Sequence, residues 1–153
     1  MIRCMLALAA VVVAAPALAC DMPRDAERMA KATIAGVNDQ RAGQNLPPVT
    51  LDTRLTDAAQ AHACDSAARN RMGHDGSDGS TLGDRARRAG YDYRAIAENV
   101  ALGYPGPAAV LRGWMGSTGH RRNILLRGAE DAGIGMAVGR DGSLHWVLVI
   151  GRD

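Results

Sequence analysis

Between Arg24 and about Arg41 the apolar residues Ala30, Ile34 and Val37 recur at three- and four-residue spacing, which predicts a helix with one apolar stripe. Gly43 and the pair Pro47-Pro48 stop it, because proline can neither donate nor fit inside a helix. A second helix is predicted from Asp52, a good N-cap, with Leu55, Ala58, Ala59 and His62 on one face and Gly73 as its terminator. "HDGSDGS" is a loop rich in glycine and aspartate, and "STLGDRARRAG" reads as a short capped helix closed by Gly90. "AIAENVAL" alternates weakly as a first strand, and "GYPGP" breaks it. Ala108 to Met115 carries a helical patch of Val110, Leu111, Trp114 and Met115. "AGIGMAVG" and "LHWVLVIG", joined across Asp141-Gly142, predict a β-hairpin. Its last strand is apolar on both faces, which predicts a central position buried on both sides. Helices alternating with a small, mainly antiparallel sheet make this an α+β chain.

The N-terminus changes the boundaries of that picture. Arg3, an apolar run from Met5 to Ala15, Pro16 and the small-residue triplet Ala17-Leu18-Ala19 have the layout of a secretory signal peptide, too short for a stable membrane span. The expected organisation is a leader over 1–19 and one domain over 20–153, with no transmembrane span in the mature chain. Without Arg3 the basic count of 18 falls by one against 16 acids, so no large field remains to gather nucleic acid. Arg85, Arg87 and Arg88, like Arg121 and Arg122, read as solvated clusters. Cys4 leaves with the leader, and the remaining pair, Cys20 and Cys64, is a candidate disulfide in an oxidising compartment. A lipid anchor on Cys20 is the alternative, although Ala17 stands where such leaders usually carry leucine.

The candidate chemistry lies in histidines and one acid. His62, on an apolar helix face, and His145, in a strand, read as packed imidazoles each satisfied by one hydrogen bond. His74 and His120 each follow a glycine in a loop just past a helix, where a side chain can be presented to a cleft. Glu98 is a carboxylate inside an apolar strand and is costly to bury without a partner. Two imidazoles and a carboxylate are a donor set found in catalytic zinc sites, yet these three are far apart in sequence and match no compact ligand motif. Ser117 precedes His120 by three residues, but Met115 stands where a nucleophile elbow needs glycine.

The order of these segments is itself informative. "VNDQRAGQNLPPVTLDTRLTDAAQAHACD", "HDGSDGSTLGDRARRAGYDYRAIAENVALGY", "WMGSTGHRRNIL", "AGIGMAVG" and "HWVLVIG" resemble the bacterial branch of the CAP superfamily: cysteine-rich secretory proteins, antigen 5 and plant pathogenesis-related proteins, also called SCP-like domains. The resemblance runs from about Ala26 to Gly151. It implies a three-layer α-β-α sandwich, export to the periplasm or the extracellular space, and a central cavity of histidines and acids able to bind a divalent metal, often zinc. Carried over by motif, His74, Glu98 and His120 are the cavity and metal residues, and they are expected to converge. Asn99, Trp114, Ser117, Arg121 and Asn123 match flanking positions that shape the cavity, with Gly119 freeing the backbone so that His120 turns inward. Larger eukaryotic members carry a second glutamate after this tryptophan. Here the segment offers only Ser117, which leaves a zinc site one ligand short. The resemblance implies a non-enzymatic module of the cell envelope that binds a small apolar ligand or an envelope partner. A metal-dependent hydrolase using the same cavity is the alternative.

Overall fold

The computed structural model describes residues 20–153, so the expected leader over 1–19 lies outside the described residues. In chain order the elements are α1 (Ala26–Ala42), β1 (Thr50–Leu51), α2 (Thr53–Arg69), α3 (Leu82–Arg88), β2 (Ala95–Leu102), α4 (Pro107–Gly116), α5 (Thr118–Ile124), β3 (Asp131–Val138) and β4 (Leu144–Arg152). The strands lie in the order β1-β3-β4-β2. β1 runs parallel to β3, and the other pairings are antiparallel.

Side-chain alternation divides the sheet into two faces, each with its own core. Ala132, Ile134, Met136, Trp146, Leu148 and Ile150 pack with Ile34, Val37, Val110 and Trp114 of α1 and α4. The alternate positions Ala137, Val147 and Val149 pack with Leu55, Ala59, Ala63 and Ala67 of α2. Helices therefore cover both faces, and the domain is the three-layer α-β-α sandwich expected, with β4 buried along nearly its whole length.

The α2 side is held by an unusually close approach. A Cβ on Gly133 would overlap the backbone of Leu55 and Thr56, and one on Gly135 would overlap that of Ala59 and Gln60. Two glycines on one face of β3 thus bring the helix backbone onto the strand with no side chain between. α2 also closes the edge of β3 beyond the reach of β1. Gln60 Nε2 donates to the Met136 carbonyl at 2.8 Å, and the Met136 N–H donates to Gln60 Oε1 at 3.1 Å. The N-terminal arm finishes the job: the Val138 N–H donates to the Asp21 carbonyl at 2.8 Å, and a Cys20–Cys64 disulfide fastens the arm to α2.

Four local expectations are corrected. α2 ends at Arg69, capped by Asn70 in the left-handed conformation rather than by Gly73, because asparagine tolerates that backbone almost as well as glycine. Thr50–Leu51, too short to show periodicity, forms β1. Thr118–Ile124 is a helix and not a loop, so His120 and Gly119 both have helical backbone. His145 is buried in β4, but neither of its ring nitrogens has a hydrogen-bond partner.

Two measurements check this packing. Gly133→Ala or Gly135→Ala forces α2 off the sheet and is expected to cost about 1–3 kcal/mol in urea unfolding, as core overpacking does. Gly116→Ala, where a Cβ meets nothing within 4 Å, is expected to leave stability nearly unchanged. His145 tests pH. Burial holds its imidazole below the ordinary value, with the Asp141 carboxylate a smaller, opposing influence. As pH falls through the ordinary imidazole range the unfolded chain takes up this proton before the folded one, so stability falls with acidification. The fall between about pH 7 and 5 is expected to be shallower in His145→Leu, read as the midpoint of thermal unfolding across that range.

Candidate functional site

Glu98 and Asn99 lie on β2, and alternation sends them to opposite faces. Glu98 pairs in register with Val149 and points to the α2 side, whereas Asn99 pairs with Leu148 and points to the α4–α5 side. β2 is an edge strand, and its outer edge is sealed by side chains. Trp114 Nε1 donates to the Val100 carbonyl at 3.2 Å, and Asn123 Nδ2 donates to the Glu98 carbonyl at 3.0 Å. Asn99 Nδ2 donates in turn to the His120 carbonyl at 3.0 Å, and Asn123 Nδ2 also reaches Asn99 Oδ1 at 2.9 Å. Two asparagines and a tryptophan thus dock α4 and α5 on the strand that carries Glu98. Ser117, in extended conformation between the two helices, sets the bend, and Arg121 is exposed on α5.

The carboxylate of Glu98 is only 2% exposed, and both of its oxygens are engaged. Oε1 meets His74 Nδ1 at 2.9 Å, and Oε2 accepts from Arg85 Nη2 at 2.7 Å. His62 stands behind them, with Nε2 4.0 Å from Glu98 Oε1 and 2.8 Å from the Gly73 carbonyl. That carbonyl can only accept, so Nε2 carries the proton, and His62 makes the single hydrogen bond expected of a packed imidazole. His74, by contrast, has a side chain 60% exposed. His74 is therefore held by Glu98 at one ring nitrogen and is open to solvent over most of its side chain. His120 is half-buried. Burial, and secondarily the charge of His74, holds its imidazole below the ordinary value, which favours the neutral ring at neutral pH.

Arg85 is the residue that sequence reasoning missed. It is 6% exposed, and besides gripping Glu98 it donates from Nη1 to the Ser80 carbonyl at 3.0 Å. The reading of Arg85, Arg87 and Arg88 as one solvated cluster fails for the first member. Leu82, Ala86 and Ala89 form the inward stripe of α3, and Arg85 falls on it. The arrangement also bears on metal. Among the described residues no group of three or more histidine, cysteine, aspartate or glutamate side chains could hold an ion. A guanidinium directly on Glu98 opposes a dication there, so the site residues as arranged do not fit zinc.

A model of the cysteine-rich secretory protein family, CAP, matches residues 34–150. The chain belongs to that family. It is similar to YkwD of Bacillus subtilis, a protein of uncharacterised function, with 29% identity over 130 residues, covering 85% of this chain and 50% of YkwD. A crystal structure of an extracellular protein containing an SCP domain from Bacillus anthracis superposes with a TM-score of 0.72 at 26% identity, over 88% of this chain and 45% of that one. An outer surface protein of Borrelia burgdorferi shares the fold at a TM-score of 0.78 and 19% identity, over 88% and 98% of the two chains. The CAP domain here therefore spans about half of YkwD and of the anthracis protein. Structural neighbours of the domain are extracellular or outer-surface proteins, and no described helix is long and apolar enough to cross a membrane.

The buried ion pair gives this CAP site a measurable dependence. Glu98→Ala strands the Arg85 guanidinium in a desolvated position and is expected to destabilise the domain by about 3–5 kcal/mol in denaturant unfolding. Adding Arg85→Met to that variant is expected to recover part of the loss, because the stranded charge goes with it.

Proposed function

We propose that this CAP domain is an exported, non-enzymatic module of the cell envelope that binds a small apolar ligand or an envelope partner at the cleft bordered by His74, His120 and α4. The observation that carries the reading is the saturation of Glu98: both of its oxygens are occupied by side chains of the same domain. A buried carboxylate so engaged is neither an open metal ligand nor a free general base. What these residues offer instead is the exposed imidazole of His74 and the half-buried ring of His120, which burial holds toward its neutral form. Asn99, Trp114 and Asn123 fix α4 and α5 against β2, Ser117 separates the two helices, and Arg121 is exposed on α5. Such a surface suits recognition, with apolar contact and a few hydrogen bonds fixing a ligand.

Secretion through the leader, followed by pairing of Cys20 with Cys64, belongs to the same reading. The competing chemistry, hydrolysis by a metal-activated water, makes the opposite demand on the cavity. Mass spectrometry of small molecules that co-purify with the mature protein, together with peptide and ester turnover assays before and after chelation, separates the two. The expected result is a retained ligand that chelation does not release, and no turnover. Metal-dependent cleavage lost in His120→Ala would overturn the proposal.

A further inference from the structure

We propose that Arg85 is the resident cation of the CAP cavity and makes it metal-independent: its guanidinium occupies the position on Glu98 that a divalent metal would need. The inference rests on reading this cavity as the functional site, but it concerns which cation the cavity carries and not what it recognises.

Three observations support it. First, Arg85 is built into the core. It lies on the inward stripe of α3, is 6% exposed, and is anchored both to Glu98 Oε2 at 2.7 Å and to the Ser80 carbonyl at 3.0 Å. A surface arginine that had merely fallen onto a carboxylate would have neither the burial nor the second anchor. Second, the acid is equally buried, so the two charges are each other's compensation in a region where an unpaired ion is costly. A dication added beside them would face a fixed positive charge at close range with little water to screen it. Third, an imidazole that can change partners stands beside the pair. His74 Nδ1 lies 2.9 Å from Glu98 Oε1 and its side chain is 60% exposed, whereas His62 Nε2 is committed to the Gly73 carbonyl at 2.8 Å. Without the guanidinium, Glu98 is a buried carboxylate with no cation of its own, and a turn of the His74 ring would set a bare nitrogen beside it for zinc.

Arginine is particularly suited to this role. It stays charged at any pH the domain meets, so the cavity keeps its internal cation without depending on metal supply or on proton uptake.

The test is zinc binding by equilibrium dialysis with elemental analysis, on mature wild-type protein, Arg85→Gln, Arg85→Met and Arg85→Lys, with His74→Ala combined into each. Circular dichroism establishes that each variant is folded. Wild type and Arg85→Lys are expected to show no zinc equivalent that depends on His74. The neutral variants are expected to bind zinc about tenfold or more tightly than wild type and to lose that gain with His74→Ala. A stoichiometric, His74-dependent zinc in the wild-type protein would overturn the proposal, whether or not the variants fold. So would folded Arg85→Gln or Arg85→Met protein that binds zinc no better than wild type. Neither result bears on whether a small ligand is retained, so failure here is distinguishable from failure of the binding reading.

Discussion

The approach of α2 to β3 is the constraint on which the remaining architecture rests. Gly133 and Gly135 remove the side chains that would normally space a helix from a sheet, and the backbone of Leu55 to Gln60 occupies that room. Several consequences follow from the short distance. Gln60 can reach the Met136 peptide from the helix with both its donor and its acceptor, which closes an edge that two-residue β1 leaves open. Cys64, one turn further on, comes within reach of the N-terminal arm. His62 is carried to the carboxylate of Glu98 on β2, two strands away from β3. A larger residue at either glycine would therefore disturb the edge, the arm and the back wall of the cavity together.

The opposite edge of the sheet is managed by a different device that serves the site as well. β2 has no outer neighbour strand, and its outward carbonyls at Glu98 and Val100 are taken by Asn123 and Trp114. Hydrogen bonds that protect the edge thus fix α4 and α5 against the strand. The asparagine pair then ties the His120 backbone to the same point. Asn123 thus binds the carbonyl of the residue whose side chain meets His74, so a loop, a strand and a helix, widely separated in sequence, are tied at one strand edge without a compact motif.

What the sequence reveals and what it hides follow from the same physics. Long amphipathic segments and the terminal hairpin are legible because burial imposes a period on them. The motif resemblance locates His74, Glu98 and His120, of which His74 and Glu98 are in direct contact. β1 and α5 are too short to show a period, and α5 follows α4 after a single extended residue, Ser117. More instructive are Arg41 and Arg85. Each continues the apolar stripe of its helix, Arg41 after Ile34 and Val37, Arg85 between Leu82 and Ala86, and each is buried. Arg41 donates to the carbonyls of Pro47, in the connection from α1 to β1, and of Ile124, Leu126 and Ala129, from the end of α5 to the start of β3. Within the run Arg85, Arg87 and Arg88 the first charge looks solvated like its neighbours, although its place on the stripe of α3 puts it inside. The partner could not be read from the stripe, because it lies on another element.

The two buried arginines solve opposite problems. Arg41 spreads one charge over four neutral carbonyls, so it organises backbone without a counterion. Arg85 concentrates on a single carboxylate and cancels it, leaving the wall behind His74 electrically neutral. Neutrality matters for what the cleft can do. An uncompensated Glu98 would attract protons or cations, and the two cleft histidines would feel its field. With Arg85 in place, His120 responds chiefly to burial and to His74, and its ring is held toward the neutral form.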